Sequence, residues 1–358
     1  MCFVFRCDGY PSIGLGHVMR CLALGSALRK RRCNIYFVMR DFPDNNVELV
    51  TRAGFNVKLI SNSKYNKDAE LTDYDQEMTA EIAQRVGAYC ILVDNYGATT
   101  KYLRNLKSKG IRVAVIDDLA DRDLSAADWI LNQNIATTEM VYRASPDCIQ
   151  LVGQQYVLLR PEFFLARTQQ MRHFASNDTH ILITLGGGNT AELTKNLIDS
   201  LESVVRTLEI RCIVCETDDK LKELRNNVNR SHHLIEIIGS TDDMVKEMLW
   251  SSLSINAGGS TCWELMCLGV PMIVIALSSD QYSNAESLEE IGCAKQLNVE
   301  NIFTLPFIVE YMLKEHKLRS TMSEIGMSMV DGKGAARVAE SLIQMITDRK
   351  IRGFSGTY

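Results

Sequence analysis

Short apolar runs alternating with amphipathic, helix-like segments constrain the fold of this chain more than any other feature. In the first part the runs are Phe3 to Phe5, Asn34 to Met39, Val57 to Ile60, Tyr89 to Val93 and Val113 to Ile116. Strand-length runs spaced by helical stretches predict a parallel sheet wrapped by helices. A further run, Trp129-Ile130-Leu131, leads into Asn132-Gln133-Asn134, and Gly153 to Pro161 reads as a crossing between lobes, with a boundary near residue 160. The pattern then begins again with His180 to Leu185, followed by Glu209 to Val214, His233 to Ile238, Leu253 to Asn256 and Pro271 to Ile275. A chain of 358 residues fits two domains of ordinary size. Residues 1–158 and 159–334 are expected to form two similar α/β lobes in tandem. Apolar residues at helical spacing from Ala335 to Ile351 predict a last helix, within 335–358, that crosses back onto the first lobe.

Composition narrows the function classes. Hydrophobic residues make up 46% and charged residues 23%, with six prolines and no biased tract, as in a folded globular protein. A net charge of -5 without a long basic block argues against nucleic-acid binding, which needs clustered Lys and Arg. No uncharged run approaches the ~20 residues of a bilayer span, and a strand beginning at residue 2 leaves no room for a signal peptide. The expectation is a cytoplasmic, monomeric protein with a small-molecule partner. Of the eleven cysteines, several lie in apolar runs, such as Cys90 and Cys267, and read as reduced core thiols. Cys212 and Cys215 have metal or redox spacing, but no second pair completes a zinc site, so neither metal nor cofactor is expected.

Three glycine loops follow strands. The first, Cys7-Asp8-Gly9-Tyr10-Pro11-Ser12-Ile13-Gly14-Leu15-Gly16-His17-Val18-Met19-Arg20, reads as strand, turn and helix. Gly14 and Gly16 let the backbone turn close to a ligand, and the helix that starts near His17 directs unpaired N–H groups and its positive dipole end there. Met19 stands where a dinucleotide fingerprint has its third glycine. The imidazole of His17 is a candidate catalytic group, with Asp8, Gly14, Gly16 and Arg20 at the substrate; the alternative is a helix-terminal histidine with a satisfied hydrogen bond. Asp94 after "CILV", Tyr96, and Asp117-Asp118 after "VAVI" fall at strand carboxyl ends, where open α/β sheets bind ligands. The second loop, Gly186-Gly187-Gly188-Asn189-Thr190, precedes a helix near Ala191, and Gly187 is a candidate contact. The third, Asn256-Ala257-Gly258-Gly259-Ser260-Thr261, leads into Glu264. Backbone N–H groups at Gly258, Gly259, Ser260 and Thr261 suit a diphosphate, and a carboxylate one turn in suits ribose hydroxyls; otherwise Glu264 is an ordinary first-turn acid. Asp280, Gln281 and Asn284 follow a later strand and are candidate sugar contacts or, alternatively, a polar helix cap.

Over nearly its full length the chain resembles the UDP-2,4-diacetamido-2,4,6-trideoxy-β-L-altropyranose hydrolases of pseudaminic acid biosynthesis. The segments that carry the resemblance are "GLGHVMRCLALGSAL" at 14, "VDNYG" at 93, "VIDDLADR" at 115, "LNQN" at 131, "LVGQQYVLLRPEF" at 151, "ITLGGGN" at 183 and "GGSTCWELMCLGVP" at 258. More distantly, the glycine loops resemble the peptidoglycan N-acetylglucosaminyltransferase that makes lipid II, which implies the GT-B architecture of two Rossmann-like lobes with a cleft between them. The resemblance implies that His17 is the catalytic base, that Gly258, Gly259, Ser260 and Glu264 bind UDP, and that Asp94 and Tyr96 face the sugar. It implies metal-independent release of UDP from a UDP-sugar substrate. Asn95 stands where the family's Asp-His-Tyr segment has histidine. A glycosyltransferase using the same donor site, or a non-catalytic nucleotide-sugar binder, is the rival reading; "LRKRRC" at 28 is the one basic candidate for a lipid acceptor and equally a solvated helix end.

Overall fold

Six- and seven-residue runs such as Cys2–Cys7 and Asn34–Arg40 are buried almost throughout, which only a sheet covered on both faces allows. The computed structural model describes residues 1–10, 14–42, 45–61, 71–135, 140–167, 174, 178–186, 190–215, 218–239 and 241–354. The chain divides into two units, Met1–Arg160 with Lys333–Tyr358, and Pro161–Gly332.

In the first unit the strands are β1 (Cys2–Cys7), β2 (Asn34–Arg40), β3 (Asn56–Ile60), β4 (Cys90–Asp94), β5 (Arg112–Ile116), β6 (Asp123–Leu124), β7 (Trp129–Asn132), β8 (Arg143–Ala144) and β9 (Ile149–Val152). Seven of them form one parallel sheet in the order β3-β2-β1-β4-β5-β7-β9, and β6 pairs with β8 apart from it. The order reverses between β1 and β4, so the loops after these strands open at a topological switch point, where doubly wound sheets bind ligands. Register places Cys7 beside Asp94, the last residue of β4. One face packs Phe3, Phe5 and Phe37 against Cys21, Leu24 and Leu28 of the helix Gly16–Lys30 and Val338, Ala339 and Leu342 of the helix Gly334–Phe354. The other packs Val4, Val38 and Ile91 against Tyr102, Leu103 and Leu106.

The second unit repeats the plan with β10 (His180–Thr184), β11 (Glu209–Ile213), β12 (Leu234–Ile238), β13 (Leu253–Ala257), β14 (Met272–Ile275) and β15 (Ala294–Leu297), ordered β12-β11-β10-β13-β14-β15 and parallel throughout. Its switch point lies between β10 and β13, so Gly258 to Ser260 emerge there.

The final helix is anchored at its start by backbone packing. A Cβ added at Gly334 would lie 2.2 Å from the Val157 carbonyl oxygen, 2.6 Å from its nitrogen and 2.7 Å from the Tyr156 carbonyl carbon. Trp129 Nε1 adds a hydrogen bond of 3.0 Å to Ser341 Oγ further along. No flexible side chain can yield at Gly334. Gly334→Ala is therefore expected to cost about 1–3 kcal/mol, the scale of overpacking in a well-filled interior. Thermal unfolding followed by circular dichroism should show the melt lowered by several degrees, and an unchanged melt would show that the 156–157 backbone moves aside.

Candidate functional site

Beneath the carboxyl edge of the first sheet, charged side chains are packed out of solvent and satisfy one another. The helix Gly16–Lys30 starts directly after the β1 loop, so His17 and Arg20, one turn apart, face the end of β4. His17 Nδ1 lies 2.6 Å from Asp94 Oδ1, while Arg20 donates to both Asp94 oxygens at 2.7 and 2.6 Å and to Asp118 Oδ2 at 2.8 Å. Burial opposes ionisation of Asp94, but Arg20 and then His17 outweigh it and hold the carboxyl well below the usual carboxylate range. An ionised acceptor at that distance assigns the proton to His17 Nδ1, which leaves Nε2 as the nitrogen able to accept one. The Tyr96 ring stands edge-on to the imidazole, centroids 4.8 Å apart, and its hydroxyl donates to Asp118 Oδ2 at 2.8 Å. Burial and the neighbouring Asp118 carboxylate raise the Tyr96 phenol above its ordinary value, so it stays a donor.

Several residues expected at the substrate are occupied by the fold instead. Asp8 is fully buried and takes hydrogen bonds from Arg6, the Arg40 amide and side chain, Asn45 and Asn95, so its carboxylate is the centre of an internal ion network. Arg6 completes that network with a bidentate bond to Asp75 at 2.9 and 2.7 Å. Asp117 is likewise buried: it accepts from the Leu119 and Ala120 amides and from Arg122, and so shapes the turn after β5. Asp94 holds His17 and Arg20 and has no exposed surface of its own to offer a sugar. Gly14 has φ 74°, in the left-handed region that glycine tolerates, and its amide bonds to the Tyr10 carbonyl; Gly16 is the first helical residue. Asp118 and Asn134, which bonds it at 3.3 Å, belong to the His17 cluster and were not singled out as site residues from the sequence, although Asp118 sits in the same strand-terminal Asp-Asp pair as Asp117.

In the second unit the β13 loop is held from below. Gly258 N donates to the Ile275 carbonyl and to Gln281 Oε1, and Asn284 Nδ2 donates to the Gly258 carbonyl at 2.8 Å. A Cβ on Gly258 would meet Gln281 Cβ at 3.1 Å and the Gln281 carbonyl at 3.2 Å, so close approach makes glycine the fitting residue. Gln281 Oε1 is thus committed to backbone, also accepting from Leu277, and Gln281 and Asn284 act first as loop supports. Asn256 is fully buried, its Nδ2 bonding the Ala257 carbonyl. The Oδ1 atoms of Asn256 and Asn284 are buried acceptors without a protein donor among the described residues. Gly259, Ser260, Thr261 and Glu264 are half-buried, at the start of the helix Thr261–Leu268 and with no side-chain cap on it. Gly187, and the side chain of Asp280, lie outside the described residues.

Among the described residues one group has metal-ligand proximity, Glu202, His232 and His233. All four ring nitrogens are engaged: His232 with Glu202 and the Val204 carbonyl, His233 with the Leu208 amide and the Leu201 carbonyl. The cluster ties strand and helix ends together. Of the Cys212 and Cys215 pair, the first is buried in β11 and the second exposed after it.

Residues 180–339 match the glycosyltransferase family 28 C-terminal domain. The chain is 21% identical to the spore coat polysaccharide biosynthesis protein SpsG of Bacillus subtilis, covering 97% of this chain and 99% of that protein. It is also 21% identical, over 83% of its length, to a Helicobacter pylori protein named pseudaminic acid cytidylyltransferase and UDP-2,4-diacetamido-2,4,6-trideoxy-beta-L-altropyranose hydrolase. An uncharacterized Methanocaldococcus jannaschii protein is 25% identical over 75% of the chain. The chain spans about half the length of these last two, 48% and 54%. Among solved structures, MurG of Acinetobacter baumannii superposes with a TM-score of 0.69 at 17% identity, covering 96% of this chain and 99% of that one. The fold is that of the GT-B enzymes.

Because Asp94 is the shared acceptor for Arg20 and His17, Asp94→Asn leaves a buried guanidinium half-paired, a change that costs about 3–5 kcal/mol in such settings. The native pKa values of Asp94 and Asp8 both lie below the ordinary value, so their stabilisation is complete above the unfolded value of about 3.9 and is lost as pH falls through the native ones. Urea titrations should show stability falling steeply below about pH 4, with a shallower fall in Asp94→Asn. Parallel profiles would mean that Asp94 carries none of the acid dependence.

Proposed function

We propose that the protein hydrolyses a UDP-sugar of the diacetamido-trideoxy-altrose type at its anomeric carbon, releasing UDP. The observation that carries this reading is the Asp94 to His17 Nδ1 hydrogen bond, which leaves Nε2 as the ring nitrogen able to accept a proton, beside the edge-on Tyr96 ring. In this mechanism a water loses a proton to His17 Nε2 as its oxygen attacks the anomeric carbon from the face opposite the leaving group. The bond between that carbon and the β-phosphate oxygen breaks, its electron pair leaves with UDP, and the free sugar forms with inversion. The leaving diphosphate is assigned to the backbone N–H groups of Gly259 and Ser260 and to the start of the helix Thr261–Leu268, the Gly258 N–H being taken up by Ile275 and Gln281, so the mechanism asks for no metal. Glu264, one turn in, is assigned to the ribose hydroxyls. The half-buried loop and its fixed supports, Gln281 and Asn284, favour an anion held by backbone. The Helicobacter pylori relative's name supports the substrate class, and SpsG supports a place in the making of surface polysaccharides.

The match to a glycosyltransferase domain favours a second reading, in which His17 activates an acceptor hydroxyl rather than water. The two readings part in one experiment. Purified protein, given the UDP-diacetamido-trideoxy-altrose donor with EDTA and no acceptor, is expected to release UDP and free sugar in equal amounts. Binding without release would favour the transferase or a non-catalytic binder. His17→Ala is expected to lower kcat by about 10²- to 10⁴-fold, the usual contribution of a positioned general base, with UDP affinity unchanged. Turnover that survives the substitution removes His17 from the chemistry.

A further inference from the structure

The helix Leu305–Lys314 and the 3-10 turn Val299–Thr304 before it turn three aromatic side chains to solvent: Phe303 is 67% exposed, Phe307 74% and Tyr311 54%. The opposite face, with Leu305, Val309, Met312 and Leu313, is buried in the second core, so the exposed rings are not needed for folding. Three aromatics at these exposures present about 300–500 Å² of apolar surface, taking 150–250 Å² for each ring buried in full. A patch of that extent is the size the largest apolar patch of a soluble protein commonly reaches, and such patches are often functional.

The pattern around Phe307 is self-complementary. Phe303 and Tyr311 stand four residues before and after it, and Glu300 and Lys314, both exposed, stand seven before and after. Two such segments laid antiparallel, with Phe307 on the twofold axis, place Phe307 against Phe307, each Phe303 against a Tyr311, and each Glu300 against a Lys314. Glu310, exposed beside the stripe, comes opposite the Thr304 hydroxyl and meets no like charge. A twofold interface requires that one patch serve both partners in this way, residue i contacting j while j contacts i. A parallel pairing would stack Glu300 on Glu300 and Lys314 on Lys314. We infer that this chain forms a twofold homodimer through the stripe Phe303, Phe307 and Tyr311, closed at its ends by Glu300 to Lys314 ion pairs. The monomer expected from the sequence is then the dissociated form. The stripe alone is smaller than the roughly 800 Å² per partner of a standard interface, so the dimer is a reversible one.

Sedimentation velocity over a concentration series spanning micromolar to several hundred micromolar tests this. A monomer–dimer equilibrium is expected in the wild-type chain. Phe307→Asp, at an exposed position, is expected to keep the circular-dichroism melt and weaken dimerisation at least tenfold. Glu300→Lys and Lys314→Glu are each expected to weaken it, and the doubly exchanged chain to recover most of the loss, because only the antiparallel register exchanges one pair for its mirror. A chain monomeric at every concentration overturns the proposal, as does a dimer indifferent to Phe307→Asp. Monomers that co-sediment with anionic phospholipid vesicles would assign the stripe to a membrane surface instead. Failure of the double exchange to recover the dimer overturns the antiparallel register.

Discussion

The first unit is organised around ion pairs buried under the carboxyl edge of its sheet. Ions removed from water are tolerable only when each is matched by hydrogen bonds from a partner, and here the partners come from two strands, the first helix and the segments between elements. Asp8 at the end of β1 takes its donors from β1, from β2 and from the segments around Asn45 and Asn95; Asp94 at the end of β4 takes its donors from the first helix. These bonds fix where the loops leave the sheet. They are also directional, so His17 is held by geometry and not by apolar contact alone.

The charges of the two knots differ in a way that bears on chemistry. Around Asp8 two guanidiniums, Arg6 and Arg40, meet two carboxylates, Asp8 and Asp75, and the group is balanced. Around His17 one guanidinium, Arg20, bonds both Asp94 and Asp118, so one carboxylate is in excess. A proton arriving on His17 Nε2 makes that cluster neutral. The first knot is thus a closed structural device, whereas the second has a place for one positive charge beside the Tyr96 ring. The second unit solves its problem differently: with Gly258 pinned by Gln281 and Asn284, it offers backbone groups and few side-chain charges.

Strand identity was legible because fully buried parallel strands read as continuous apolar runs, whereas the order of strands within each sheet is seen only in the structure. The strand readings from Phe3 to Phe5 through Pro271 to Ile275 fall within a residue or two of the observed elements. Of the strands not anticipated, β6 and β8 are two-residue pieces paired apart from the main sheet, and β9 and β15 are edge strands whose sequences, "IQLV" and "AKQL", carry polar residues because only part of each is covered. At the site the sequence marks strand-terminal aspartates without telling which face the ligand and which face the protein. Position alone puts Asp8, Asp94 and Asp117 at the substrate, yet all three are filled by arginines and amides that lie two to 87 residues away in the chain. Only packing reveals that pairing. Asp118, one residue beyond Asp117, points the other way and reaches Arg20 and Tyr96.

Asn95 shows how a residue outside the His17 cluster can act on it at one remove. Its Oδ1 caps the Gly97 amide at 2.8 Å and its Nδ2 reaches Asp8 at 3.3 Å, with the side chain buried. The residue therefore faces the interior. A histidine in its place is bulkier and offers its donor and acceptor from a rigid ring, so the same two bonds would require a different turn between Asp94 and Gly97. Tyr96 sits in that turn. The side chain at 95 thus bears on where the turn sets Tyr96, whose ring stands edge-on to the His17 imidazole.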